Sequence, residues 1–113
     1  MEKYDYKKHV THAIINHIRE NYSNLDEVNE SLLYDDLWID DSVTGNASGS
    51  YYCNAYKAEE ALAFNFDLLK EACEEFSCIP DLASPEACDV TIRCYLLGDC
   101  MYEALEELKE EGF

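Results

Sequence analysis

The fold is decided by residues 84–112, which read SPEACDVTIRCYLLGDCMYEALEELKEEG. Ser84 is a typical helix cap, and Pro85 suits the first helical position because the amide hydrogen that proline lacks has no helical partner there. Apolar residues then recur at helical spacing along one face: Val90, Cys94, Leu97, Met101, Ala104 and Leu108. Gly112 is suited to ending a helix. The pattern predicts one long amphipathic helix that ends near residue 110.

A second amphipathic helix is predicted over residues 56–77. Its apolar stripe consists of Ala58, Leu62, Phe66, Leu69, Cys73 and Phe76. The opposite side carries a row of carboxylates from Glu60, Asp67, Glu71 and Glu74. Pro80 and the turn-forming residues after it separate this helix from the long one. We therefore expect an antiparallel helical hairpin with a buried seam and an exposed acidic face.

The first half of the chain is expected to complete a single, mainly α-helical domain over residues 1–113. Residues 4–22 predict an N-terminal helix packed across the hairpin, and residues 25–33 predict a short helix after a cap at Ser23 or Asn24. Residues 38–50 are rich in small turn-forming residues and predict an ordered central loop. Residues 51–53 could add a short strand to a small β-hairpin.

The net negative charge of the chain limits the kinds of molecule that it is expected to bind. The net charge is −17, and it is uneven, because residues 1–20 carry four basic and three acidic side chains while the other 93 carry four basic and 22 acidic ones. Such a surface repels phosphate backbones and anionic lipid, so we expect no direct binding to nucleic acid or to membranes. No stretch has the length of a membrane span or a signal peptide, which predicts a cytoplasmic protein with reduced cysteines. Basic protein surfaces are the favoured partners.

Catalytic patterns are weak in this sequence. The three histidines, His9, His12 and His17, all lie in the first predicted helix, and none neighbours a cysteine or serine in a recognisable nucleophile motif. Surface or boundary histidines are the simpler interpretation, although a Cys–His pair formed in space is not visible in sequence. We expect a protein that binds and not an enzyme.

Two metal sites are conceivable. Cys73, Cys78 and Cys88 fall near one end of the predicted hairpin and could hold a structural zinc ion with one further ligand, although no C-x2-C pair is present; buried thiols are the alternative. A hard cation could be held by four aspartates, Asp35, Asp36, Asp40 and Asp41; the alternative is a solvated acidic turn.

The same segment could instead contact a partner protein through Trp38, Asp40 and Asp41, since aromatic residues beside turns are frequent anchors. Burial of Trp38 in the core is the competing interpretation.

The acidic row of residues 60–74 permits two interpretations. It could be a solubilising surface, including one adapted to high salt, or it could imitate the charge of a nucleic-acid backbone and occupy the basic groove of another protein. Two segments, WIDDSVTGNASGSY (38–51) and CDVTIRCYLLG (88–98), resemble short acidic proteins encoded by phages and mobile elements of Gram-positive bacteria. Proteins of that kind include anti-CRISPR inhibitors of type II effector nucleases. The resemblance implies an inhibitor that acts in the host cytosol on a nucleic-acid-binding protein; the alternative is a structural or accessory interaction module, with or without zinc.

Overall fold

A computed structural model describes residues 4–45 and 55–113, with side chains from residue 60 onward in the second range. The described helices are α1 Tyr6–Asn21, a 3-10 turn Leu25–Glu27, α2 Glu30–Trp38, α3 Ala55–Phe64, α4 Phe66–Glu75 and α5 Pro85–Glu110. The prediction of a mainly helical protein is thus confirmed. The small β-hairpin is not supported, because 4–45 and 55–113 contain no strand, and residues 51–53 lie outside these ranges.

The long helix α5 is the element against which the other four helices pack. All six residues of its predicted stripe are buried, which confirms that face. Four more apolar residues and Asp89 are buried on a second face, the apolar ones being Cys88, Ile92, Leu96 and Cys100. At about 1.5 Å per residue, a helix of 26 residues is long enough to hold several partners side by side. Gly112 ends it with a φ of +81°, a left-handed conformation that favours glycine, and Phe113 donates its amide to the Leu108 carbonyl at 2.9 Å.

Helix α1 lies along α5 and follows its predicted pattern closely. The Asp5 carboxylate accepts a hydrogen bond from the Lys8 amide at 3.1 Å and caps the first turn. Val10, Ile14 and Ile18 are completely buried, as their spacing predicted. Their burial removes three branched side chains from water, each contributing roughly 1.5–3 kcal/mol.

A buried ion pair joins the start of α1 to α5. The Asp89 carboxylate is 2% exposed, accepts a hydrogen bond from the Tyr6 hydroxyl at 2.5 Å, and accepts another from Arg93 Nε at 2.8 Å. Arg93 donates in turn to the Tyr4 hydroxyl at 2.7 Å. Burial opposes the Arg93 charge, but Asp89 outweighs it and raises the pKa of Arg93 above its ordinary value. The network pairs the buried Asp89 carboxylate with the Arg93 guanidinium, because an unpaired charge in the core would be strongly unfavourable.

Helix α2 and the turns after it pack against the middle of α5. The short predicted helix is divided, because the backbone between the 3-10 turn and α2 is extended at Val28 and Asn29, and the Asn29 side chain caps α2 through the Leu32 amide. Beyond α2, the buried Thr44 hydroxyl donates to the Trp38 carbonyl at 2.9 Å. Gly45 follows with φ +78°, a conformation that glycine adopts without strain. Residues 39–45 of the predicted central loop are therefore ordered; residues 46–50 lie outside the described ranges.

The helix predicted over residues 56–77 is wrong as a single element, because it breaks at Asn65. The buried Asn65 side chain donates to the Ala61 carbonyl at 2.8 Å and to the Tyr4 carbonyl at 3.0 Å. Its own amide shifts to the Leu62 carbonyl, so the side chain replaces the hydrogen bond that would have continued the helix. Phe66, directly after the break, and Phe76, after the last residue of α4, are 46% and 41% exposed instead of buried in the stripe.

Candidate protein-binding surface

An aromatic row crosses the surface where the ends of α2 and α4 meet α5. The Trp38 ring lies 6.0 Å from that of Tyr34 and 6.3 Å from that of Phe76, between ring centroids. Phe76 lies a further 6.4 Å from Tyr95 on α5. The two contacts of Phe76 are edge-to-face, at 87° and 84°, a favoured arrangement of aromatic rings. Since Phe76 is exposed and the other three rings are half-buried, the row presents aromatic surface to solvent.

Carboxylates surround the Tyr95 end of this row. Desolvation and neighbouring negative charges raise the pKa of Tyr95 above its ordinary value. The carboxylates responsible are those of Glu71, Glu75, Asp99 and Glu74. We call the four rings and these four carboxylates the acidic–aromatic surface: Tyr34, Trp38, Phe76, Tyr95, Glu71, Glu74, Glu75 and Asp99.

The acidic side of α4 is well separated from the core. Leu69, Ala72 and Cys73 are buried on one side of this helix. The predicted binding residues Asp67, Glu71 and Glu74 are all exposed on the other side. Positions three and four apart are neighbours on a helix, so these three carboxylates form one patch next to the aromatic row.

Glu60 stands apart from that patch. It is exposed, but it belongs to α3, and the break at Asn65 prevents the continuous four-residue row that the sequence predicted. Lys70 brings one positive charge to α4, and its ammonium group lies 5.7 Å from the centre of the Phe66 ring. The acidic surface is therefore strongest toward the C-terminal half of α4.

Trp38, Asp40 and Asp41 were predicted to contact a partner, and the structure places them differently. Trp38 lies in the centre of the aromatic row and also packs against the edge of the core. The Asp40 carboxylate is held by neighbouring residues, with one oxygen 2.6 Å from His17 Nδ1 and the other accepting from the Ser42 amide and hydroxyl. Asp41 is half-buried. All three residues are half-buried, and Trp38 is the one that lies in the aromatic row.

The acidic–aromatic surface has the chemistry that recognises arginine. A guanidinium group stacks on aromatic faces, which contributes about 0.5–2 kcal/mol depending on desolvation, and it pairs with carboxylates through two parallel hydrogen bonds. An exposed ion pair alone contributes roughly 0–1 kcal/mol. The aromatic row should therefore supply more of the affinity, while the carboxylates should mainly accelerate association.

The histidines do not form an activated nucleophile with a described cysteine. His9 stacks on Tyr4 with 4.4 Å between ring centroids, and His17 is bound to Asp40. His12 and Cys100 line the same cleft of about 410 Å³ between α1 and α5. Burial raises the pKa of the Cys100 thiol, which is the opposite of what nucleophilic activation requires.

Neither predicted metal site has ligand geometry in the structure. Among the residues that the structure describes, no three His, Cys, Asp or Glu side chains are arranged to hold a metal ion. Cys73, Cys78 and Cys88 do lie close enough to influence one another, but the Cys88 thiol donates to the Asp81 carbonyl at 3.3 Å. Structural zinc and a cation at the aspartates are therefore unsupported in this part of the chain.

Sequence reasoning missed five members of the acidic–aromatic surface. They are Tyr34, Phe76 as an exposed ring, Tyr95, Glu75 and Asp99. The spacing of Tyr34 and Trp38, four residues apart on a helix, is a usable signal of paired rings. The rest of the row joins residues from three elements, and its assembly depends on how those elements pack.

Comparison with protein-family models, with curated proteins and with solved structures finds no match for this chain. Within the described ranges, no helix combines the length and the apolar character that spanning a membrane requires.

Proposed function

We propose that this protein binds a basic surface of a nucleic-acid-binding protein and inhibits it by occupying the place of the nucleic acid. The observation that carries the proposal is the position of Trp38 and Phe76 in an open aromatic row beside the carboxylates of Glu71 and Glu74. Partner binding commonly depends on a few aromatic anchors within a polar rim. This surface contains both components, with Trp38, Glu71 and Glu74 in helices and Phe76 at the cap of α4.

Charge supports a basic partner. The net charge of −17 favours rapid encounter with a groove lined by lysine and arginine, because opposite surface potentials steer association. Rows of carboxylates on a helix can occupy phosphate-binding positions, while the aromatic rings can replace stacked bases as partners for arginine side chains. The protein would then compete with DNA or RNA for the same groove.

The candidate target is a type II CRISPR nuclease of a bacterial host, as the resemblance to short acidic phage proteins implies. Such nucleases hold nucleic acid in a positively charged channel. On this proposal the protein is an anti-CRISPR inhibitor that acts in the host cytoplasm, without catalysis and without a metal. An accessory interaction module that uses the same surface on another basic protein is the alternative.

The test is DNA cleavage by a purified type II CRISPR nuclease loaded with guide RNA, with the protein added before or after the DNA. The wild-type protein should inhibit when it is added first. The neutralised variant combines Glu60→Gln, Asp67→Asn, Glu71→Gln and Glu74→Gln. The matched control removes the same number of charges from the far end of α5 and combines Glu103→Gln, Glu106→Gln, Glu107→Gln and Glu110→Gln.

The neutralised variant should lose inhibition and the control should keep most of it. Loss of inhibition in both variants would mean that total charge matters and that the surface on α4 does not. Normal cleavage in the presence of the wild-type protein would reject this nuclease as the target. A pull-down from host lysate at low and high salt would then show whether the accessory module is correct.

A further inference from the structure

The C-terminus of α4 brings two cysteines together. Ser77 adopts a left-handed conformation with φ +53°, although it is not glycine. The Ser77 amide donates to the Glu74 carbonyl at 3.2 Å, and the Cys78 amide donates to the Cys73 carbonyl at 2.9 Å. These two hydrogen bonds define a Schellman motif, in which the residues at the positions of Cys73 and Cys78 characteristically contact each other.

The hydrogen bond sets an upper limit on the separation of the two Cα atoms. The Cys73 oxygen and the Cys78 nitrogen are 2.9 Å apart. Adding the fixed distances from each of these atoms to its own Cα gives at most roughly 6.8 Å between the Cα atoms. Disulfides span Cα separations of about 4.4–6.8 Å. The backbone therefore already holds this pair within the range of a disulfide.

The two thiols differ in access and in how firmly they hold their protons. Cys73 is 5% exposed, while Cys78 is exposed. Burial, a hydrogen bond with the Cys78 side chain and the nearby charges of Cys78 and Cys88 raise the pKa of Cys73 to about 11. A reagent in solution therefore reaches Cys78 first, while Cys73 keeps its proton until it reacts.

Cys88 is close to this pair but is held differently. It is buried, and its thiol donates to the Asp81 carbonyl at 3.3 Å. It belongs to α5, so its position does not depend on the turn that joins Cys73 to Cys78. Cys88 is thus a neighbouring thiol with a separate anchor and serves as an internal control.

We propose that Cys73 and Cys78 are a dithiol site that reacts with low-molecular-weight disulfides and closes into an intramolecular disulfide. The Cys78 thiolate attacks one sulfur of the small disulfide, which forms a mixed disulfide and expels one small thiolate. Cys73 then loses its proton to solvent, and its thiolate attacks the Cys78 sulfur and expels the second small thiolate. The protein loses two electrons and two protons, and one small disulfide becomes two thiols.

Closure would stabilise the end of α4 in its present conformation. Ser77 has a backbone conformation that costs a non-glycine residue energy, and the new bond would hold the ends of this turn together. The same turn positions Phe76, which lies in the acidic–aromatic surface. The chemistry of the thiol pair nevertheless does not depend on the proposed binding function, and it is measured without a partner.

The test uses glutathione disulfide as the reagent on the folded, fully reduced chain, followed by intact mass and peptide mapping over time. In the wild-type protein a glutathione adduct on Cys78 should appear first. It should then convert to a product that has lost two hydrogens and links Cys73 to Cys78. In Cys73→Ala the adduct on Cys78 should persist. In Cys78→Ser the glutathione adduct on Cys73 should form roughly tenfold more slowly than the adduct on Cys78 forms in the wild type, because the exposed thiol of this pair is gone.

Cys88→Ala is the matched control and should still form the disulfide between Cys73 and Cys78, at least as fast as the wild type, because it removes one of the groups that raise the pKa of Cys73. Circular dichroism confirms that each variant is folded. A lasting adduct in the wild-type protein would overturn the proposal. So would a disulfide from Cys78 to any cysteine other than Cys73, or an unchanged rate in Cys78→Ser.

Discussion

The buried ion pair between Asp89 and Arg93 offers the sharpest test of the packing. Replacing Asp89 with leucine leaves the Arg93 guanidinium, whose side chain is 18% exposed, without its carboxylate. It also leaves the Tyr6 hydroxyl without the acceptor that it reaches at 2.5 Å. Removing one partner of a buried pair typically costs about 3–5 kcal/mol. Since small domains are stable by about 5–15 kcal/mol, Asp89→Leu should lose a large part of the total.

The double variant Asp89→Leu with Arg93→Met separates the charge effect from the packing effect. An apolar pair of similar volume is often as stable as the ion pair it replaces, so the second substitution should recover most of the loss. Urea denaturation monitored by circular dichroism gives the free energies of unfolding for the wild type, both single variants and the double variant. The reasoning is refuted if Asp89→Leu costs less than about 1 kcal/mol, or if the two single losses simply add.

Three further predictions concern the core, the turn after α2 and acid stability. Leu97→Ala should lower the free energy of unfolding by about 2–5 kcal/mol, because Leu97 is completely buried, while the exposed Glu71→Gln should change it by less than about 0.5 kcal/mol in thermal melts. Gly45→Val should cost about 1–2 kcal/mol in the same melts, because Gly45 has φ +78°. Partial burial opposes ionisation of Asp40, but hydrogen bonds from Ser42 and His17 outweigh it and lower the pKa of Asp40. The stability that Asp40 contributes should be present above about pH 4 and lost as pH falls through the lowered pKa, so unfolding free energies of the wild type and Asp40→Asn should converge in acid.

Each of these predictions has a contradicting outcome. Equal losses for Leu97→Ala and Glu71→Gln would mean that the faces of the helices are wrongly assigned. Full stability of Gly45→Val would show that the turn accepts other backbone conformations. A constant difference between the wild type and Asp40→Asn from pH 7 down to pH 2 would exclude a contribution from the ionised carboxylate.

Much of the helical framework could be predicted because it depends on local signals. The stripe of α5, its Ser84–Pro85 start and its Gly112 end all lie within one continuous segment. The exposure of Asp67, Glu71 and Glu74 follows from the same periodicity, since the opposite side of α4 carries the apolar residues. These features need no knowledge of the other elements.

The break at Asn65 could not be predicted in the same way. Its side chain is fixed partly by the Tyr4 carbonyl, which is 61 residues away in sequence. The hydrogen bonding of Asp40 likewise depends on His17, which lies in α1. Asp89 and Arg93 have the spacing of a helical ion pair, but their burial becomes visible only once α1 covers them. Contacts between distant segments determine each of these features.

The aromatic row was unpredictable for the same reason. Phe76 fits the apolar period of residues 56–77 and was expected in the core. Helix α4 instead ends at Glu75, and Phe76 lies at the surface between Trp38 and Tyr95. The negative charge of the acidic–aromatic surface could be predicted from sequence, whereas the arrangement of its four aromatic rings became visible only in the structure.

The most direct test of the acidic–aromatic surface uses Trp38, which is the single tryptophan of the chain and lies in that surface. Its fluorescence is followed while an arginine-rich peptide without tryptophan is added, at ionic strengths from about 0.01 to 0.15 M, over which the screening length falls from about 30 to 8 Å. The account predicts a saturable change in emission, with binding that weakens as salt rises. Binding should be up to roughly tenfold weaker for Glu71→Gln with Glu74→Gln, mainly because association slows, and nearly unchanged for Glu106→Gln with Glu110→Gln. Unchanged Trp38 emission while calorimetry detects the peptide bound, or equal affinities for the two double variants, would contradict it.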